Sequence, residues 1–285
     1  MDGIKEISIK NKISLLGCGW LGVSLAQYLL TLGYRPNGST TSPAKVSLLN
    51  DLGITPFLIN VAPQVQGADI TPFFEADVLF LNIPFKRSLT DPSFYKKQIE
   101  SVVFFVKDSS IKHVIFASST SIYPDTLLDA SEDSLFAPDN PRSKVLKEIE
   151  DLLLADKHFQ TTILRFAGLY GPDRPIGNFL LADKERSKEI LAYGNKRVNL
   201  IHREDCVAII TQIIEKGTIG NQVLNLCSDG HPTRQELYVI AAGKMGRPIP
   251  EFSTQGTYEG KIVNNQKLKQ LLNYTFKYPD PLNAI

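Results

Sequence analysis

The chain has 285 residues, 43% hydrophobic and 21% charged, with a formal net charge of +1. This composition supports a packed globular core, and with no lysine/arginine block it points to no nucleic acid and no anionic membrane as partner. Three cysteines without paired spacing (Cys18, Cys206, Cys227) and four scattered histidines (His113, His158, His202, His231) make neither a disulfide framework nor a metal site. The N-terminus, MDGIKEISIKNK, lacks the apolar run of a signal peptide, and no apolar stretch reaches the length of a membrane span. A cytoplasmic protein, with the cysteines reduced and buried, is the expectation.

ISLLG (13–17) predicts a short buried strand, followed by an amphipathic helix over 21–32 that ends at Gly33. A weaker strand is expected over 34–40, where Pro36 belongs at the strand start. TPFLINV (55–61), DVLFLNIP (77–84), HVIFASS (113–119) and TTILRFAGL (161–169) are apolar runs of strand length. The clearest helix between them covers 93–107. NPRSKVLKEIE (140–150) opens another helix, with Asn140 as its cap, Pro141 at its first position and Val145, Ile149, Leu152 and Leu153 as its buried stripe. Near-continuous apolar strands alternating with helices predict an α/β fold, a Rossmann-type doubly wound parallel sheet.

After Gly171-Pro172 the alternation loosens into helices over 203–216 and 233–245, a strand over 222–227 and a proline-rich tail. The expected organisation is a dinucleotide-binding domain over 1–172 and a smaller, mostly substrate-binding part over 173–285. Within the latter, a segment at about 198–228 returns to the main domain.

LLGCGWLG (15–22) places Gly17-x-Gly19-x-x-Gly22 directly after the first strand and at the start of a helix. That order suits a dinucleotide. Gly17 permits the tight turn, Gly19 lets a pyrophosphate approach the backbone, and Gly22 lets helix and strand pack closely. The phosphates would meet the N–H groups of Trp20 and Leu21 at the positive end of the helix. The plainer reading is a tight turn that binds nothing. Cofactors with a free ribose 2′-hydroxyl are usually held by an acid about 20 residues on. Here the region reads NGSTTSPAK (37–45), with Ser39, Thr40, Thr41 and Ser42, and Arg35 and Lys45 nearby. Hydroxyls and cations suit a 2′-phosphate, so NADP(H) is preferred over NAD(H). Ser42-Pro43 also reads as an ordinary helix start.

Five blocks resemble the extended short-chain dehydrogenase/reductase family, the NAD-dependent epimerase/dehydratase group. ASSTSIYPD (117–125) resembles its fifth-strand motif, and ILRFAGLYGP (163–172) its "LRxxxxYGP" motif. VNLIHREDCVAII (198–210), QVLNLCSDGHPTRQEL (222–237) and KIVNNQKLKQLLNYTFKY (261–278) resemble later family segments in the same order. The turn departs from the usual GxxGxxG and resembles an atypical subgroup with a GxGWLG turn.

The resemblance implies the following roles. Lys144 matches the lysine of the family's Tyr-x-x-x-Lys and would hold the nicotinamide ribose, with Glu148 matching a glutamate four residues on. Ser119 and Thr120 would bind a substrate oxygen. Asn82 and Pro84, at the end of DVLFLNIP, would neighbour the cofactor. The substrate would be a small molecule with a carbonyl or hydroxyl group, such as a sugar nucleotide, and two copies would pair as a homodimer. The family's tyrosine position holds Asn140, whose amide carries no proton near neutral pH. Two functions therefore stand open: an NADP(H)-dependent oxidoreductase or epimerase with an altered acid/base, or a non-catalytic NADP(H) sensor. Tyr123, Tyr170 and His202 have structural readings beside any catalytic one.

Overall fold

The computed structural model describes residues 11–177, 190–217, 219–253 and 259–284. The chain divides into two compact units, one of residues 1–116 with 152–162 and the other of 117–151 with 163–285.

In the first unit, β1 (Ile13–Leu16) leads into α1 (Trp20–Thr31), β2 (Asn37–Thr40), α2 (Ala44–Asp51) and β3 (Thr55–Leu58). A short antiparallel pair follows, β4 (Asn60–Val61) and β5 (Val65–Gln66), so the 55–61 run breaks after Leu58. Then come α3 (Thr71–Phe74), β6 (Val78–Leu81), α4 (Ser93–Lys107) and β7 (His113–Ser119), which continues into the second unit. All four residues of β1 and of β6 are buried, as expected for strands covered on both faces. Pro36 lies just outside β2, where its missing N–H costs no ladder bond.

The seven-stranded sheet has the order β3-β2-β1-β6-β7-β9-β12, where β9 is Gln160–Phe166 and β12 is Gln222–Leu226. The pairs β3–β2, β2–β1, β1–β6 and β6–β7 are parallel. The chain moves outward from β1 to β3 and then returns to β6 on the other side. With right-handed crossovers this is a doubly wound, Rossmann-type sheet whose switch point lies between β1 and β6. The glycine turn follows β1 and Asn82 follows β6, so both stand at the carboxyl ends beside that switch.

The second unit holds the end of β7, β8 (Asp129–Ala130), most of α5 (Pro141–Ala155), the end of β9, β10 (Gly168–Tyr170), β11 (Leu200–His202), α6 (Arg203–Lys216), β12, α7 (Arg234–Lys244), β13 (Ile262–Val263) and α8 (Gln266–Leu272). The run 161–169 is two strands rather than one. β9 ends at Phe166, and β10 pairs in parallel with β11. The reason is local: the Ala167 N–H donates to the Leu226 carbonyl at 2.9 Å, and that of Gly168 to the Asn199 carbonyl at 3.0 Å. Gly168 has no room for a side chain, since a methyl there would sit 2.7 Å from Leu200.

On α5 the buried stripe is Leu146, Ile149, Glu150 and Leu153, while Val145 and Leu152 are only half-buried. The inner face is therefore rotated from the expected stripe and includes a carboxylate, Glu150. All three cysteines are reduced and buried. Among the described residues, no helix is long and apolar enough to cross a membrane.

Candidate functional site

In the first unit the glycine turn has the geometry its three positions predict. Gly17 adopts φ +114°, and a methyl there would lie 2.4 Å from the Asn82 carbonyl oxygen. A methyl on Gly22 would lie 2.4 Å from the Gly17 carbonyl oxygen. The protein's own packing therefore demands glycine at both positions. Gly19 differs. Its φ is −84°, available to any residue, and among the described residues a methyl there would meet nothing within 4 Å. No side chain caps α1, and its first turn holds no acid. The arrangement is a positive helix end with open space before it, which is the chemistry a pyrophosphate requires. Trp20 begins α1 half-buried, and the Leu21 side chain is buried, so Leu21 can meet a ligand only through its backbone.

Of the hydroxyls in and after β2, Ser39 is buried and its Oγ accepts the Gly17 N–H at 2.8 Å. Thr40 is also buried, and its Oγ1 accepts the Ser42 N–H at 3.1 Å. Thr41, Lys45 and Arg35 are exposed, and Ser42 is half-buried. The outward-facing groups are thus a hydroxyl pair and two cations. Ser39 and Thr40 shape the loop from within. Asn82 is half-buried and donates its Nδ2–H to the Gly17 carbonyl at 3.0 Å, and Pro84 is exposed. The segment after Asn82 is held by the Tyr95 hydroxyl, which donates to the Ile83 carbonyl at 2.9 Å, and by Phe85 stacked on Tyr95 at 4.4 Å.

In the second unit, Ser119 and Thr120 separate in role. Ser119 is half-buried, and its Oγ accepts the Ser121 N–H at 3.1 Å, capping a single turn over 120–122. That leaves its hydroxyl hydrogen to donate to another oxygen. Thr120 is buried and donates to the Phe166 carbonyl at 3.3 Å. Lys144 is exposed in the first turn of α5, and Glu148 is exposed one turn later.

Asn140 is the N-cap of α5. Its Oδ1 accepts the N–H groups of Arg142 and Ser143, each at 3.0 Å. Ser143 reciprocates: its Oγ donates to the Asn140 carbonyl at 2.9 Å and accepts the Asn140 N–H at 3.3 Å. The Asn140 amide nitrogen donates to Asp139 at 2.8 Å. Both polar atoms of this side chain are hydrogen-bonded, Oδ1 to the helix start and Nδ2 to Asp139.

The other candidates are tied into the fold. Tyr123 is 1% exposed, with its hydroxyl donating to Asn225 Oδ1 at 2.9 Å and accepting from Arg165 at 2.6 Å. Burial pushes its phenol up, against the pull of Arg165. His202 is the N-cap of α6, its Nδ1 accepting the Glu204 N–H at 3.2 Å, and burial lowers its pKa. Its ring packs 3.7 Å from that of Tyr278 and edge-on to Tyr170. Asp205, also buried, accepts from the Tyr274 hydroxyl and from the N–H groups of Lys277 and Tyr278, fastening the 274–278 segment to α6.

Sequence reasoning missed a buried ionic centre. Arg165 on β9 meets Glu150 on α5 through Nε at 3.1 Å and Nη2 at 2.6 Å. Ser118 donates to the same carboxylate at 2.5 Å, and Asn225 closes the far side by donating to the carbonyls of Ala130 and Asn264. Burial alone would lower the arginine, but the Glu150 carboxylate prevails and raises it. A signal was present: Arg165 interrupts an apolar strand and Glu150 an apolar helix stripe, and two opposite charges buried in one unit are expected to pair.

Residues 99–227 match the model of the NAD dependent epimerase/dehydratase family. The chain is 31% identical over 274 residues to Protein YeeZ of Escherichia coli (strain K12), covering 95% of this chain and 97% of that one. Among solved structures, it resembles a UDP-glucuronic acid 4-epimerase from Bacillus cereus in complex with NAD, with TM-score 0.76, 19% identity and 96% of each chain covered. It also resembles the ADP-L-glycero-D-manno-heptose-6-epimerase of Helicobacter pylori, with TM-score 0.77, 14% identity and coverage of 96% and 94%. At these identities the two structures speak for the fold.

Proposed function

The chain belongs to the NAD-dependent epimerase/dehydratase family, and from that premise we propose that it binds NADP(H) on the glycine turn of its first unit and acts on a hydroxyl or carbonyl group of a small molecule. The observation that carries the reading is Gly19. Packing explains Gly17 and Gly22, but among the described residues nothing within 4 Å explains a missing side chain at Gly19. A ligand backbone close to the helix end does. Thr41, Ser42, Lys45 and Arg35 favour a 2′-phosphate, and the stretch 37–45 holds no carboxylate to repel one.

The bound nicotinamide would supply or accept hydride. The protein's own contribution is positioning. Ser119 presents a hydroxyl hydrogen to a substrate oxygen, and Lys144, by its match to the family lysine, holds ribose. Asn140 supplies no proton, so acid/base catalysis by the family's tyrosine is absent from α5. A sugar nucleotide is the first substrate class to test, because the related epimerases act on such molecules.

Calorimetric titration with NADPH and NADH tests the cofactor reading. One charge-assisted contact to the 2′-phosphate is worth about 1.5–3 kcal/mol, so NADPH should bind at least about tenfold tighter. Equal affinities would sink the preference, and no binding of either would sink the reading. A second reading, a non-catalytic NADP(H) sensor, is favoured by Asn140, which stands at the family's tyrosine position and serves there as a helix cap. It predicts tight cofactor binding without turnover across sugar nucleotides and simple carbonyl compounds, together with a protein partner that distinguishes oxidised from reduced cofactor.

A further inference from the structure

Gly17 is held from both sides. Of the two peptide planes that flank it, the first contributes the Leu16 carbonyl, which accepts the Asn82 backbone N–H at 2.9 Å, and the Gly17 N–H, which donates to Ser39 Oγ at 2.8 Å. The second contributes the Gly17 carbonyl, which accepts from Asn82 Nδ2 at 3.0 Å, and the Cys18 N–H, which donates to the Ser39 carbonyl at 2.8 Å. Each plane is therefore bonded at both ends, once by a residue following β6 and once by a residue of β2. Ser39 and Asn82 each use one backbone and one side-chain group to do this. Glycine has the widest backbone freedom of any residue, and at Gly17, with φ +114°, the protein's own hydrogen bonds restrict it.

We propose that Ser39 and Asn82 are positioning residues that pre-form the dinucleotide turn, acting on the cofactor through Gly17. This rests on the reading that the turn binds a dinucleotide. The Ser39 hydroxyl lies inside the loop, and the Asn82 amide faces the turn's own carbonyl. Their shared effect is to keep the Gly17 peptides in one orientation, so that the helix N–H groups stand ready. A turn that is only fractionally in that orientation binds with an affinity reduced by that fraction.

The mechanism has a kinetic signature. A lost direct contact speeds dissociation, whereas lost pre-organisation slows association. Stopped-flow binding of NADPH to the full chain separates the two. Removing one hydrogen bond of ordinary strength corresponds to about a fivefold change. Asn82→Ala should slow association about fivefold and leave dissociation within twofold of wild type. Asn82→Asp, the same shape with an acceptor facing the Gly17 carbonyl, should slow it further. Faster dissociation at unchanged association would overturn the proposal, as would unchanged kinetics in both variants.

Amide hydrogen exchange on the cofactor-free wild-type protein gives an independent arm that needs neither a variant nor a ligand. Protection at Gly17 and Cys18 supports the clamp, and rapid exchange at both overturns it. If wild type bound neither NADPH nor NADH while those amides were protected, the cofactor reading would fail and the proposed role with it, although the rigid turn would stand.

Discussion

Asn140→Ala is the substitution that best separates a helix cap from a catalytic group. Asn140 is exposed, so its truncation leaves no cavity and the cost is that of the cap alone. Two N–H groups lose their acceptor, while the Ser143 hydroxyl keeps both of its bonds to the Asn140 backbone. Loss of such a cap costs about 0.5–2 kcal/mol, typically ~1. Asn140→Asp keeps the acceptor and adds a charge favourable to the helix dipole, but it places that charge beside Asp139, where the amide now donates. Its stability should stay within about 0.5 kcal/mol of wild type. Asn140→Tyr removes the cap and should cost about as much as alanine. Urea unfolding measures all three, and NADPH titration of the same proteins supplies the functional arm. The cap reading requires alanine to be destabilised with cofactor affinity within twofold of wild type. If Asn140→Ala were as stable as wild type yet lost turnover or cofactor, the side chain would have a chemical role and the reasoning would be wrong.

Arg165→Met leaves the Glu150 carboxylate buried without its partner and should cost about 3–5 kcal/mol in urea unfolding. The double replacement Arg165→Met with Glu150→Leu should be less damaging than either single change, and additivity of the two would count against a coupled pair. Gly19→Ala should leave stability nearly unchanged while weakening NADPH binding. Gly17→Ala meets the Asn82 carbonyl and a strained φ, which alone costs about 1–3 kcal/mol, so its midpoint should drop clearly. Equal stability of the two alanine variants would refute the distinction.

Burial pushes His113 down to about 4, with Nε2 against Thr162 at 2.8 Å. Because its folded value lies below the unfolded one, the histidine's contribution is present above pH 6.5 and is lost as pH falls toward 4. Between pH 7 and 5 that amounts to about 2 kcal/mol. The stability gap between wild type and His113→Asn should narrow by roughly that much on acidification, and a gap independent of pH would contradict it.

The local code of this chain determined its elements. Val78–Leu81 is apolar without interruption and Ile13–Leu16 but for Ser14, the pattern of short strands covered on both faces. The spacing of Gly17, Gly19 and Gly22 announced the turn, and at Gly17 and Gly22 close backbone approach admits no other residue type. Asn140 before Pro141 announced a helix start, since a short amide is suited to accept the first N–H groups. These features depend on neighbours within a few residues, so a linear reading reaches them.

What only the tertiary structure decided is which side chains remain available once long-range hydrogen bonds are made. Ser39 and Asn82 read in the sequence as cofactor neighbours, and the fold also bonds each to Gly17, across 22 and 65 residues. Ser119 and Thr120 are adjacent and chemically alike, and burial alone leaves the first accessible and turns the second inward. Glu150 and Arg165 lie on a helix and a strand whose packing brings opposite charges together, and Glu150 rather than Val145 or Leu152 belongs to the inner face of α5. A hydrogen bond or ion pair between distant segments has no period for a sequence to display. Its partners are chosen by how strands and helices stack, and that choice exists only in the folded chain.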